Sequence, residues 1–329
     1  MKKKLAVFDS KEYDIDSLNS ENHDRYDIVY FDTKLSANTV TLAKGADAVC
    51  CFVNDVVNKE VIDKLVEFKI GVLILRCAGF NNVDLSYAKD KIKVLRVPAY
   101  SPSAVAEHAS SLLLAIERKI HRAYIRSRDF NYNLVGLTGH NLYGKKAGII
   151  GTGKIGYHFA KILEGYGMEV LAYDPYPNTK LGLKYVSLEE LYKEADVISL
   201  HCPLTDQNFH LINDETIAKM KQNVVIINTS RGGLIDSKAL LRGLESKKIR
   251  GVGLDVYEEE GDLFFQDNSS RVNIDETLRL LSSLPNVIIT AHQAYLTYEA
   301  LRNIAITSFC NLDAYFGGTE LFNEVVWEG

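Results

Sequence analysis

Short apolar runs alternate with amphipathic stretches along the whole chain. Lys4 to Asp9, Tyr26 to Asp32, Asp47 to Phe52, Gly71 to Arg76 and Lys93 to Val97 read as strands. Several are apolar throughout, the pattern of a parallel sheet covered on both faces. The stretches between them, such as Asn58 to Phe68, carry helical periodicity. Together they predict a first α/β unit of about a hundred residues. Pro98 and Pro102 then punctuate the chain, and one long helix is expected from Ser103 to about Arg128. It is apolar early (Leu112, Leu113, Leu114, Ile116) and basic late (Arg118, Lys119, Arg122, Arg126, Arg128). That pattern suits a half-buried helix with a solvated basic end, or a connector that also packs on another subunit.

A second alternating series has strands at Ala147 to Ile150, Met168 to Tyr173, Asp196 to Leu200, Asn223 to Asn228, Arg250 to Asp255 and Asn286 to Thr290. Ser187 with Glu190 forms a capping box before one of its helices, and another helix begins near Asn213. Six strands around a glycine turn predict a doubly wound sheet. A last helix, Thr297 to about Phe316, leaves this series and returns toward the first unit.

The glycine turn is the run GTGKIG, with Gly151, Gly153 and Gly156, and the next strand ends at Asp174. Strand, glycine turn, helix, strand and acid make a dinucleotide-binding βαβ unit. Gly151 permits the sharp turn, Gly153 lets the backbone approach a pyrophosphate, and Gly156 lets the helix pack close to the sheet. The helix N-terminus adds unpaired N–H groups and a positive partial charge. Asp174 is placed to accept hydrogen bonds from the adenosine ribose. Its charge would repel a 2′-phosphate, so NAD is expected rather than NADP.

Composition narrows the function classes. The 329 residues are 47% hydrophobic and 25% charged, with a net charge of −5. This is ordinary for a soluble two-domain protein and offers no footprint for nucleic acid or an anionic membrane. Leu5 to Phe8, behind the basic start, is too short for a signal peptide or a membrane span, so a cytoplasmic protein is expected. Cys50, Cys51, Cys77, Cys202 and Cys310 show no CxxC spacing and read as buried free thiols. No metal site is expected.

Reducing a carbonyl with a nicotinamide needs three services. A cation holds the substrate and polarises its oxygen, an acid protonates that oxygen, and a partner keeps the acid charged and oriented. Candidates lie just beyond C-terminal strand ends, where such sheets bind ligands. Arg231, in the run NTSRGG, suits bidentate capture of a carboxylate. His292 follows the last strand and is the acid/base candidate. Glu258, Glu259 and Glu260 follow the strand ending at Asp255, and any of them could stabilise an imidazolium at His292. Spacing does not choose among the three.

At these residues the chain resembles the D-2-hydroxyacid dehydrogenase family over essentially its whole length. The markers are LRCAGFNNVD from Leu75, VPAYSPSAVAEHA from Val97, GTGKIG, DVISLHCPLT from Asp196, NTSRGGLID from Asn228, GLDVYEEE from Gly253 and AHQAYLT from Ala291. The segment Asp262-Leu263-Phe264-Phe265 favours the branch that acts on lactate. The resemblance implies a flavodoxin-like substrate domain, residues 1–100 and 299–329, into which a Rossmann-type NAD domain, residues 101–298, is inserted. It implies an active site in the cleft, whose closure expels water, and a homodimer or homotetramer paired through the NAD domain.

Roles also follow from the resemblance. Arg231 matches the arginine that binds the substrate carboxylate and carbonyl, His292 the acid/base, and Glu260 its partner. Backbone N–H groups at Ala78 and Gly79 match those that receive the carboxylate, and Phe52, Tyr100 and Tyr295 match side chains around the substrate. Lys154, Ile155, Asp174, Cys202, Pro203, Asn208, Thr229, Ser230 and Asp255 match residues around NAD, together with the glycines. Lys154 stands where some relatives carry histidine, at a contact made by the backbone. The expected activity is reduction of pyruvate to D-lactate. Two alternatives stand beside it: a dehydrogenase for a bulkier keto acid such as phenylpyruvate or 2-ketoisocaproate, and a non-catalytic NAD(H)-sensing scaffold, which would bind NADH without turnover.

Overall fold

Parallel sheets form where the apolar runs fall. The computed structural model describes residues 2–261, 263–270 and 275–327. Asp262, which opens the segment tied to the lactate branch, lies outside them, as do the first residue and the last two of the expected substrate domain. The chain divides into two compact units, Met1–Ser101 with Tyr295–Gly329, and Pro102–Ala294.

The first unit runs β1 (Lys3–Val7), α1 (Glu12–Asn22), β2 (Tyr26–Tyr30), β3 (Ala48–Cys51), α2 (Lys59–Glu67), β4 (Val72–Leu75), α3 (Leu85–Ala88) and β5 (Lys93–Arg96). Its five strands are all parallel in the order β2-β1-β3-β4-β5. That order reverses direction between β1 and β3, so the loops after these two strands open a crevice at the switch point. Alternate residues Leu5, Val7, Cys50, Val72 and Ile74 face one layer, which also contains Leu18 of α1. Asn58 caps α2 by accepting the Val61 N–H at 3.1 Å. Helix α1, between the first two strands as expected, buries little: only Asp14 and Leu18 are enclosed.

The second unit continues with α4 (Pro102–Arg118), α5 (Ile120–Arg128), β6 (Lys146–Ile150), α6 (Lys154–Gly165), β7 (Glu169–Tyr173), β8 (Lys184–Tyr185), α7 (Leu188–Glu194), β9 (Val197–Leu200), α8 (Asp214–Lys219), β10 (Val224–Asn228), α9 (Ser237–Glu245), β11 (Ile249–Leu254), α10 (Glu276–Ser283) and β12 (Val287–Ile289). Its strands are parallel in the order β12-β11-β10-β9-β6-β7-β8. Leu112, Leu113 and Ile116 of α4 pack with Phe159, Ala160 and Leu163 of α6 on one face. Leu191, Ile217, Leu240 and Leu281 cover the other. Both faces are buried, as the apolar strands require. Helix α11 (Tyr298–Gly317) then belongs to the first unit, where Ala305, Phe309 and Leu312 join Leu18 against the sheet. Thr297 caps it through the Ala300 N–H at 3.2 Å.

Three expectations are corrected. The long helix breaks at Lys119, which adopts a left-handed φ of 53°. The apolar stripe ends at Ile116, Glu117 is buried and paired with Arg250, and α5 beyond it encloses no side chain. Without burial on one face nothing holds the axis straight. The second sheet has a seventh strand, β8, whose two residues are too few to show a period. All five cysteines are free, but Cys202 is half-buried and Cys310 is exposed, since Phe309 and Leu312 take the inner face of α11. No helix among the described residues is long and apolar enough to cross a membrane.

Candidate active site

The glycine turn follows β6 at the switch point of the second sheet. Gly151 has φ 93°, and a Cβ there would overlap the backbone of His201 and Cys202. Gly153 caps α6 without a side-chain hydrogen bond, and a Cβ there would meet nothing within 4 Å. Open space therefore lies over the helix end at Lys154 and Ile155, where N–H groups face outward. Gly156 comes so close to the Gly151 carbonyl that a Cβ would overlap it. Asp174, beyond β7, is turned onto this loop: Oδ2 accepts the Thr152 N–H at 2.8 Å and hydroxyl at 3.0 Å, and Oδ1 accepts the Tyr176 N–H at 2.9 Å.

The loops after β9 and β10 face each other. Asn208 donates to the Pro203 carbonyl at 2.7 Å, and Ser230 Oγ donates to the Cys202 carbonyl at 2.5 Å. Burial pushes the Cys202 thiol up to about 11, so it is neutral near pH 7. Thr229 is buried, and its hydroxyl has no hydrogen-bond partner among the described residues. A buried orphan hydroxyl is costly unless a ligand completes it.

Arg231 is held by its backbone: Asn228 Nδ2 donates to the Arg231 carbonyl at 2.8 Å, and Arg231 Nη1 donates to the Ser230 carbonyl at 2.7 Å. The residue is half-buried, and no carboxylate among the described residues pairs with it. It is a cation disposed to receive an external anion. His292 sits in the left-handed region at φ 53°. Its Nδ1 lies 2.8 Å from Glu260 Oε1, and Glu260 Oε2 accepts the Tyr257 N–H at 2.9 Å. With Nδ1 bonded to the carboxylate, Nε2 is the nitrogen that can exchange a proton with a ligand. The glutamate run, open by spacing, is resolved by geometry: Glu260 meets His292, Glu258 meets His210, and Glu259 is exposed.

Asp255 is fully buried and organises the His292 segment. Its oxygens accept from Thr290 Oγ1 at 2.5 Å, the Gln293 N–H at 2.9 Å and the Ala294 N–H at 2.8 Å, and its carbonyl accepts the His292 N–H at 2.7 Å. Sequence reasoning passed over His108, whose Nε2 lies 3.4 Å from Asp255 and 3.0 Å from Thr290 Oγ1. It sits in the middle of α4, and no local pattern marks it. His201 also ends a strand but is half-buried, its Nε2 2.8 Å from Ser199 Oγ, and desolvation of the ring pushes it down to about 3, leaving it neutral.

In the first unit Phe52, Tyr100 and Tyr295 form a ring cluster. Tyr295 lies 5.9 Å from Phe52 and 6.0 Å from Tyr100 between centroids. Arg76, like Arg231, follows an apolar strand, but it is buried within the first unit. Its guanidinium lies 4.8 Å from the Phe52 ring centroid. Ala78 and Gly79 follow β4; their carbonyls accept from Arg96 at 2.9 Å and from Cys77 Sγ at 3.3 Å.

The second unit thus has a glycine turn with open space over the helix end, Asp174 bonded to that turn, an arginine that no carboxylate pairs with among the described residues, and a histidine oriented by Glu260. Residues 110–294 match the D-isomer specific 2-hydroxyacid dehydrogenase, NAD binding domain. The chain is 50% identical to the D-lactate dehydrogenase of Escherichia coli (strain K12), over 98% of this chain and 100% of that protein. The apo-structure of D-lactate dehydrogenase from Escherichia coli superposes with a TM-score of 0.91 at 48% identity, covering 98% of this chain and 100% of that one. The solved pyruvate reductase of Chlamydomonas reinhardtii gives 0.93 at 42% identity, covering 98% of each chain. The chain belongs to the D-isomer specific 2-hydroxyacid dehydrogenase family.

Proposed function

We propose that this protein is an NAD-dependent D-lactate dehydrogenase that reduces pyruvate to D-lactate. The observation that carries the reading is the His292–Glu260 pair at 2.8 Å in the unit that also presents an unpaired Arg231. The residues present fit NAD. Gly151, Gly153, Lys154, Ile155 and Gly156 would receive the pyrophosphate and Asp174 the ribose, while Cys202, Pro203, Asn208, Thr229 and Ser230 would line the rest. Asp255, with its oxygens bonded inside the unit, would act through the loop it holds. When bound, NADH supplies the hydride that the keto carbon takes up.

The chain's own residues do the rest. Arg231 binds the substrate carboxylate and polarises the ketone oxygen as negative charge develops there. His292, protonated before the reaction, gives its Nε2 proton to that oxygen. Glu260 fixes the ring orientation and stabilises the imidazolium. In the first unit, the N–H groups of Ala78 and Gly79 are assigned to the carboxylate, and the Phe52, Tyr100 and Tyr295 rings to the substrate's side chain.

NADH oxidation with pyruvate, phenylpyruvate, 2-ketoisocaproate, glyoxylate and hydroxypyruvate, with chiral analysis of the product, tests the reading. A pyruvate preference yielding D-lactate is expected. A bulkier preferred substrate would keep the mechanism and change the substrate, and tight NADH binding without turnover would point to a sensing scaffold. Arg231→Lys should lower kcat/KM by about 10²- to 10³-fold with NADH binding intact, because lysine cannot make the bidentate contact. Full activity in that variant would remove Arg231 from the mechanism.

We further infer a homodimer or homotetramer. Helix α5 encloses no side chain, and Ile125, Phe130, Tyr132, Leu134 and Val135 on it and after it are all exposed. So apolar a stretch favours a protein partner. Light scattering on the purified protein would reveal a monomer if this is wrong. We assign the protein to the cytoplasm, whose nucleotide pool the reaction draws on.

A further inference from the structure

A second histidine–glutamate pair lies beside the first. His210 Nε2 is hydrogen-bonded to Glu258 Oε1, and Glu258 Oε2 accepts the N–H of Ser237, the first residue of α9, at 3.3 Å. The His210 N–H donates to the Gly233 carbonyl at 2.9 Å. The Phe209 ring stacks on the imidazole, with centroids 3.9 Å apart and planes at 20°. Gly232, between Arg231 and Gly233, presses on the neighbouring turn: a Cβ there would overlap the Tyr257 carbonyl and the Glu258 nitrogen. Two residues beyond Glu258, Glu260 holds His292. The turn that carries Arg231 is therefore gripped between the His210 loop and the Glu258–Glu260 turn, and the His210–Glu258 pair closes that grip.

An exposed ion pair would do little here, since such pairs contribute weakly and are screened. This one is 30% exposed at His210 and 20% at Glu258, and both partners are tied to backbone as well. We propose that His210 and Glu258 are positioning residues that set Arg231 against the Glu260–His292 dyad. The inference rests on the keto-acid reductase reading above. An ångström of drift between a binding cation and a proton donor is enough to slow such a reaction strongly.

The test compares full-length His210→Ala, Glu258→Ala, the double variant, and His210→Gln, whose amide can donate from about the position of Nε2. Pyruvate kcat and KM, NADH binding, thermal midpoint, and binding of oxamate (an unreactive isostere of pyruvate) to the enzyme–NADH complex are measured. Each alanine variant should lose about 10- to 100-fold in kcat/KM, with oxamate affinity falling in step and NADH affinity unchanged. The double variant should lose no more than the worse single one, because the pair acts as a unit. His210→Gln should recover most of the loss. A lower thermal midpoint with unchanged kcat, KM and oxamate affinity would show a purely structural pair and overturn the proposal. A wild-type protein that reduces no 2-keto acid would instead overturn the functional reading, and this inference with it.

Discussion

Two buried aspartates, one in each unit, have opposite electrostatic outcomes. Asp55 lies in the loop after β3 and Asp255 directly after β11, and neither is exposed to solvent. Burial alone drives a carboxylate toward its neutral form. At Asp55 burial prevails and pushes the group up to about 6, although the Phe52 and Leu35 N–H groups and the nearby Arg76 pull the other way. At Asp255 burial acts in the same sense, yet His108, the Thr290 hydroxyl and the Ala294 and Gln293 N–H groups outweigh it and hold the carboxyl below its ordinary value. The balance between burial and the donors aimed at the group decides the outcome: two backbone N–H groups and a cation do not offset burial at Asp55, while four donors do so at Asp255. The two also hold different things. Asp55 fixes the Phe52 backbone, part of an aromatic wall, while Asp255 fixes the segment that carries His292.

The strongest way to break the comparison is to remove the cation on the Asp55 side. Arg76 is buried, donates to the Phe8 carbonyl at 2.8 Å, to the Asp9 carbonyl at 2.5 Å and to Asp14 at 3.3 Å, and serves Asp55 electrostatically as well. Burial alone would favour its neutral form, but Asp14 and the other acids around it hold it firmly charged. Arg76→Met would leave carboxylates enclosed without their counter-charge, a loss of about 3–5 kcal/mol in unfolding free energy at pH 7. Urea unfolding measures it. A loss below about 1 kcal/mol would mean that the carboxylates simply take up protons when the cation leaves.

Titration sharpens the contrast. Asp55 is raised in the folded protein, so between about pH 4 and 6 the folded state binds more protons than the unfolded one. Its contribution to stability is greatest at the acid end and falls as pH rises through that window, by about 3 kcal/mol for the full shift. Asp255 is lowered, so its contribution is present above the ordinary carboxylate range and is lost as pH falls below it. Unfolding free energies of wild type and Asp55→Asn, measured from pH 4 to 7, isolate the first effect. The wild type should lose ground to the variant as pH rises, and parallel curves would refute the raised value.

Much of this was legible in the sequence, and the limits have physical causes. Inner strands such as β4 and β10 were readable because they are buried on two faces, so their residues are apolar almost without interruption. Arg231 and His292 stood out as charged or titratable groups directly after such strands. The break at Lys119 was not readable, because it depends on what α4 packs against and on α5 fully burying none of its side chains in its own unit. Partner choice was equally hidden. Whether Glu258 or Glu260 meets His292 is set by a turn tightened through the Tyr257 N–H, and Arg76 finds Asp14 across 62 residues of chain. Local patterns reveal which positions face a core. They do not reveal which distant polar group answers a buried charge.

The smallest effect on stability, and the most local, is expected at Asp255 itself. In Asp255→Asn the remaining oxygen can still accept from Thr290 and Gln293, but the new NH₂ group opposes the Ala294 N–H, which now donates to Oδ2 at 2.8 Å. One buried donor is left unpaired, at about 1–3 kcal/mol. The backbone bond from His292 to the Asp255 carbonyl does not involve the side chain and survives. The segment from Thr290 to Ala294 should therefore loosen without unfolding. Amide exchange at Gln293 and Ala294 should speed up, strands β1 to β5 should exchange as before, and kcat should fall more than the stability change alone explains. Unchanged exchange at those two amides would mean that the carboxylate's charge, rather than its placement of the His292 segment, is what the site uses.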